Sequence, residues 1–168
     1  MDKILSIDGT LGEGGGQILR SSLTMSIIHQ IPFEMINIRA KRKTPGLAAQ
    51  HLEAIESARD ICGGTVEGAS LRSMKIKFTP KLASAGKYFF QVDTAGAMTL
   101  VFQTVVLPLC LAKGSSRVDF KGGTHVNWAP PYEYLELVWN SMAKRMGLNI
   151  NMKLEKAGYY PKGGGHFY

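Results

Sequence analysis

Cysteine is scarce in this sequence. Cys62 and Cys110, two residues in 168, are too few for a disulfide framework, and their separation fits no metal-ligand spacing. Each lies in an apolar helical context, which predicts a reduced core thiol. Long apolar runs are missing as well. The longest, Leu100 to Ala112, is about 13 residues, short of a membrane span. It contains Gln103 and Pro108 and predicts a buried helix that the proline kinks or divides. The opening MDKILSIDG is too short and too charged for a signal peptide. These absences together predict a cytoplasmic protein. No run of six like charges occurs, so the net charge of +7 is not a basic tail. With 45% hydrophobic and 20% charged residues, the composition is that of an ordinary globular chain. Its cationic excess suits a polyanion such as nucleic acid or a nucleotide, or else reflects an uncommitted basic surface.

The common phosphate loops are also absent. No Gly-Lys-Ser/Thr closes a Walker loop, and Gln17 stands where the dinucleotide pattern needs its third glycine. What is present is LGEGGGQILR, residues 11–20, a glycine-rich entry to a helix with one acid and one base. Such an entry lets backbone N–H groups approach an anion at a helix N-terminus, or makes a tight turn. Glu13 could hold a divalent cation against phosphates.

Hydrophobic periodicity divides the chain into two similar halves. In the first, strands are expected at Lys3–Ile7, Phe33–Arg39, Thr65–Glu67 and Met74–Phe78. Helices are expected at Gly16–Gln30 and Leu47–Cys62, the second stopped by Gly63-Gly64. The second half repeats the order. Its strands are Tyr88–Val92, Arg117–Lys121 and Leu148–Glu155, its helices Ala97–Ala112 and Pro131–Met146, and HFY begins a closing strand. Corresponding elements lie about 84 residues apart, the mark of a structural repeat. The expected fold is an α/β layered one: tandem βαβαββ repeats, residues 1–82 and 83–168, with helices packed on one face of the sheets.

Three further clusters carry chemistry. RAKRKTPG, residues 39–46, follows a strand, and strand ends in α/β sheets commonly line ligand sites. Arg39 and Arg42 could grip phosphates, or form a solvated loop, with Gln50 one turn into the next helix. Gln103 is a polar residue in a strongly apolar helix, and a buried amide needs a partner or a ligand. KGGTHVNWAPP takes the place of RAKRKTPG in the second half, setting Asn127 and Pro130 beside the same crevice. Trp128 reads as a packed tryptophan, with a stacking surface as the alternative.

GEGGGQILRSSL, IRA-x-R-x-x-PGL-x-x-QH, ICGGTVEG, the Gln103 helix, KGGT…APP and GYYPKGGG occur together and in order. From Leu5 to Phe167 the chain resembles the N-terminal half of the RNA 3′-terminal phosphate cyclases. The resemblance implies repeated βαβαββ units with a smaller inserted domain. It also implies ATP-dependent conversion of an RNA 3′-phosphate into a 2′,3′-cyclic phosphate. A histidine is adenylylated by ATP, AMP passes to the RNA phosphate, and the neighbouring 2′-hydroxyl closes the ring. By the same resemblance, Glu13 meets magnesium or manganese and the ATP phosphates, Gln103 meets ATP, and Pro130 the adenine. Arg39, Arg42 and Gln50 handle the RNA end, supported by Asn127 and by Arg20, for which a structural role stands equally open.

Family members are about twice as long, with the adenylylated histidine near the C-terminus. His29, His51, His125 and His166 do not match that position. The expectation is therefore a truncated platform without insert domain, C-terminal repeat or nucleophile, and not competent alone. Surfaces left open by truncation predict self-association. Two alternatives are a non-catalytic relative that binds RNA in ribosome assembly and, more distantly, an enolpyruvyl transferase. Retention of Glu13, Arg39, Arg42 and Gln103 favours the cyclase reading over the first. The second would need a phosphosugar or shikimate-type anion site, which these motifs do not resemble.

Overall fold

The computed structural model describes residues 4–168; Lys3, expected to open the first strand, and residue 1, expected to open the first repeat, lie outside it. The elements run β1 (Leu5–Asp8), α1 (Gln17–His29), β2 (Phe33–Ile36), α2 (Ala49–Cys62), β3 (Thr65–Glu67) and β4 (Ile76–Thr79). They continue with β5 (Lys87–Gln91), α3 (Met98–Leu111), β6 (Arg117–Gly122), a π-helical stretch (Tyr134–Trp139), α4 (Asn140–Arg145), β7 (Leu154–Lys156) and β8 (Gly165–Phe167). Two four-stranded sheets result, ordered β1-β2-β4-β3 and β5-β6-β8-β7. In each, the first two strands are parallel, joined through a helix, and the remaining pairs are antiparallel. This is the mixed α/β architecture expected of βαβαββ units.

The helices pack by burying the stripes the sequence displays. Leu19, Leu23 and Ile27 of α1 are buried, as are Ala54, Ile55, Ala58 and Ile61 of α2. Helix α3 is apolar almost all round and packs against both α1 and α2, so the halves share one helical core. Phe102 meets Phe120, Phe167 and Trp139 at ring separations of 5.9, 6.3 and 5.3 Å. No helix among the described residues is long and apolar enough to cross a membrane.

Several expected boundaries shift. Strand β2 stops at Ile36, because Asn37 and Arg39 take left-handed backbone at φ 55° and 54°. Ile38 therefore leaves the strand but stays buried, its N–H donating to the Met74 carbonyl at 3.0 Å. That contact delays β4 to Ile76. Helix α2 begins at Ala49, not Leu47, and ends on Gly63 at φ 60°. Its Glu53 is half-buried, and burial raises its carboxyl pKa. Pro108 does not divide α3, which runs unbroken through it.

The expected helix Pro131–Met146 is instead a π-helical stretch leading into α4. The backbone marks it: the Asn140 N–H donates to the Leu135 carbonyl five residues back, the spacing of a π turn rather than an α turn. Of the expected strand Leu148–Glu155, only Leu154 onward is strand, with a bulge between Leu154 and Lys156, although Lys153 exchanges backbone hydrogen bonds with Tyr168 at 2.8 and 3.0 Å and burial alternates from residue 148. Cys62 is buried and Cys110 half-buried; both are free thiols.

Candidate functional site

The parallel strands β1 and β2 deliver their carboxyl ends to one edge, where the glycine-rich loop and the RAKRKTPG loop meet. Glycine there makes room for cations. A side chain at Gly15 would come within 2.8 Å of the Arg42 Nη2, and one at Gly16 would strike the His51 ring and the Arg20 Nη1. Three helix N-termini also converge. Gly16 caps α1 and abuts His51 in the first turn of α2, while Gln50 Oε1 accepts the N–H of Ala97, the cap of α3, at 3.2 Å. The positive ends of three helix dipoles therefore gather beside the cations, an arrangement suited to an anion.

Arg20 is the most informative residue here. Its side chain is buried, at 7% exposure, and no carboxylate forms an ion pair with it among the described residues. One Nη2 donates to Gln17 Oε1 at 3.1 Å, but Nε has no partner. Desolvation pulls its pKa down to about 10, so the guanidinium remains charged at neutral pH. A buried cation without a counter-charge is costly unless an anion joins it.

His51 is buried beside it, at 3% exposure. Its Nδ1 accepts the Ala48 N–H at 3.1 Å, capping α2 as a glutamine or glutamate would. That bond assigns the ring proton to Nε2, on the side facing Gly16 and Arg20. Burial, then the charges of Arg39 and Arg20, lower its pKa to about 4. At neutral pH it is an uncharged N–H donor. The signal for it in the sequence is its place in the third helical position of α2, a capping position.

The other expected site residues fall into two groups. Arg39, Arg42 and Glu13 join the Arg20 cluster. Arg39 donates to the Gly46 carbonyl at 2.6 Å, and burial followed by repulsion from Arg42 and Arg72 lowers its pKa. Glu13 is almost fully exposed and only loosely paired with Arg42 at 3.4 Å, leaving its carboxylate available. A divalent cation held by one carboxylate and by phosphate oxygens would fit it. Among the described residues no cluster of three or more His, Cys, Asp or Glu side chains could hold a metal by itself.

Gln50 is engaged with α3, as above. Gln103 is half-buried on α3, not fully buried as its apolar context indicated. Asn127 and Pro130 lie on the loop after β6, exposed and half-buried respectively. That loop adjoins the α3 N-terminus, where Met98 N–H donates to the Gly123 carbonyl at 2.9 Å. No hydrogen bond among the described residues ties Gln103, Asn127 or Pro130 to the Arg20 cluster. Trp128 is not packed: it is 97% exposed on left-handed backbone, φ 65°.

This is the geometry of an α/β anion-binding protein, with cations and helix N-termini gathered at the carboxyl ends of parallel strands. The chain belongs to the RNA 3′-terminal phosphate cyclase family, whose model matches residues 11–168. It is 48% identical over 165 residues to the RNA 3′-terminal phosphate cyclase of Salmonella agona (strain SL483), covering 98% of this chain and 48% of that relative. The cyclase of Nostoc punctiforme (strain ATCC 29133 / PCC 73102) is 47% identical over 169 residues, covering 96% and 49%. That of Gloeothece citriformis (strain PCC 7424) is 45% identical over 172 residues, covering 98% and 49%. The chain thus spans about half the length of the curated relatives it matches.

Proposed function

We propose that this chain is the ATP- and RNA-end-binding platform of an RNA 3′-terminal phosphate cyclase. The observation that carries the reading is the buried Arg20, without a counter-charge among the described residues, facing His51 at the meeting of three helix N-termini. A phosphate supplies the charge that Arg20 lacks and accepts the His51 Nε2–H. Arg42 and Arg39 add cations, and Glu13 contributes one oxygen to magnesium or manganese on the phosphates. Gln103 and Pro130, near the α3 end, take the nucleoside. The RNA 3′-phosphate meets Arg39, Arg42 and Gln50, with Asn127 at the margin. The two sheets are read as two copies of one unit, 1–82 and 83–168. A cytoplasmic setting accords with the two free thiols.

Binding without adenylylation is part of this proposal. His51 is enclosed with Nδ1 engaged, His125 is held between Thr124 and Glu133 at 2.7 and 2.6 Å, and His166 bonds Asp119 at 3.0 Å. His29 closes α1. The test incubates the chain with labelled ATP and magnesium or manganese. The expected result is retained ATP with no covalent label on a denaturing gel. Arg20→Met should weaken retention at least about tenfold, the scale of a charge-assisted contact, with a smaller loss for Gln103→Ala. A covalent adenylate would overturn the platform reading, and unchanged retention in Arg20→Met would overturn the site. Self-association through uncovered apolar faces belongs to the same proposal and is argued below.

A further inference from the structure

The outer faces of the two sheets, turned away from the helices, differ in chemistry. On the first sheet that face carries Ser6, Asp8, Glu34, Ile36, Lys77 and Glu67, with no aromatic ring. Its charges are neutralised in place, Lys75 with Glu34 at 2.8 Å and Lys77 with Glu67 at 3.1 Å.

The second sheet is different. Strand β5 alternates so that Tyr88 and Phe90 point to the core while Phe89 stands on the outer face, 59% exposed. A phenylalanine there buries little and occupies a position where alternation calls for a polar residue. Register sets Asp119 directly opposite it, with basic side chains around that pair: Lys87 lies opposite Arg117, Gln91 opposite Lys121, and Lys121 opposite His166, which in turn faces Lys156. The acids of this surface are already engaged, Asp119 with Arg117 and His166 at 3.0 Å each, and Glu155 with Lys153 at 2.7 Å. Among the described residues no carboxylate pairs with Lys87, Lys121 or Lys156.

We propose that this outer sheet face binds single-stranded RNA, with Phe89 as a stacking platform for a base and Lys87, Lys121 and Lys156 on the phosphates. An exposed ring with unpaired lysines nearby on an open sheet face matches an unpaired base and its backbone. A duplex keeps its bases stacked and offers no face to the ring. The surface shares no residue with the Arg20 cluster and requires no 3′-phosphate.

The test is fluorescence anisotropy with a labelled oligouridine of about twelve nucleotides ending in a 3′-hydroxyl, which suits a groove of this kind. Phe89→Ala should weaken binding about five- to tenfold, and Phe89→Trp should retain it. Lys87→Gln with Lys121→Gln should flatten the dependence of affinity on salt. ATP retention should be the same in Phe89→Ala as in the parent, which separates this surface from the nucleotide site. Affinity within about twofold after Phe89→Ala, with loss only in the lysine variants, would make the surface a charge patch alone and overturn the proposal. Absence of binding by the parent chain would overturn it as well.

Discussion

His51 shows how far position alters a side chain's chemistry. Burial and two arginines hold its pKa at about 4, against an ordinary value of 6.5. The folded state therefore binds its proton less readily than the unfolded state does. Above about pH 6.5 both states are neutral here and the full stability is present; as pH falls toward 4, protonation favours the unfolded chain. The loss is on the order of 2–3 kcal/mol. An NMR titration should find the His51 ring resonances unmoved down to about pH 5, and a midpoint near 6.5 would remove the burial argument. An anion bound beside Arg20 opposes the arginine charges, so saturating ATP should raise that midpoint. In the sequence this histidine stands apart from the other three by closing the IRA-x-R-x-x-PGL-x-x-QH motif in the first turn of α2, but its burial was not legible there. Arg20, by contrast, was legible as part of GEGGGQILR, but its lack of a counter-charge was not. Which residues fail to meet an arginine is a property of the packed core, not of the motif.

Among the elements, α3 shows how a helix carries a proline without breaking. Pro108 has no N–H, so the carbonyl of Thr104 loses its partner one turn on. Thr24 of α1 fills the gap, its hydroxyl lying 2.9 Å from that carbonyl and 3.0 Å from the carbonyl of Arg20. Thr24 is 6% exposed, so the replacement bond is buried at the contact between the two halves. Thr24→Val keeps the shape and strands the carbonyl, which should cost about 1–3 kcal/mol in urea denaturation. Pro108→Ala restores the helical donor, so the double variant should recover much of that loss. Equal destabilisation in the single and double variants would show that the carbonyl is not the cause. The proline's presence was readable in the sequence, but the rescue of the Thr104 carbonyl by Thr24, 80 positions before it, was not, because nothing local encodes an interhelical bond. Helix and strand identities followed from periodicity, and the mistaken ends have local causes. Asn37 and Arg39 adopt φ values that a run of apolar alternation does not reveal. The π-helical stretch hides within a pattern that reads equally well as an α-helix until the Asn140 N–H is seen to reach the Leu135 carbonyl.

At the scale of the whole molecule, one interface is made and its counterpart is left open. Helix α2 covers α3 and β5, joining the second helix of one half to the first helix and strand of the next. By the repeat, α4 and its π-helical lead-in occupy the place of α2, and α1 with β1 occupies the place of α3 with β5. Both surfaces are uncovered and apolar. Leu137, Val138, Met142 and Met146 are exposed along the former, at 46–82%. A groove of about 320 Å³ lined by Leu5, Ile7, Ile18, Met25 and Ile31 opens on the latter. Exposed apolar surface of this kind offers a docking face, and the proposed self-association would repeat the internal contact, setting the α4 face of one copy on the α1–β1 groove of another. Such a contact is heterologous, so copies add head to tail unless the rotation closes a ring. Sedimentation velocity should therefore show mass rising with concentration from the 18.4 kDa monomer through successive additions. Met142→Glu, at the centre of the exposed helical face, should shift the distribution back to monomer, and Met25→Glu should do the same from the other side. Mixing the two single variants is the decisive experiment. Each retains one intact face, so a head-to-tail contact lets them form a dimer and nothing larger, whereas a face-to-face contact through α4 leaves the Met25→Glu variant associating by itself.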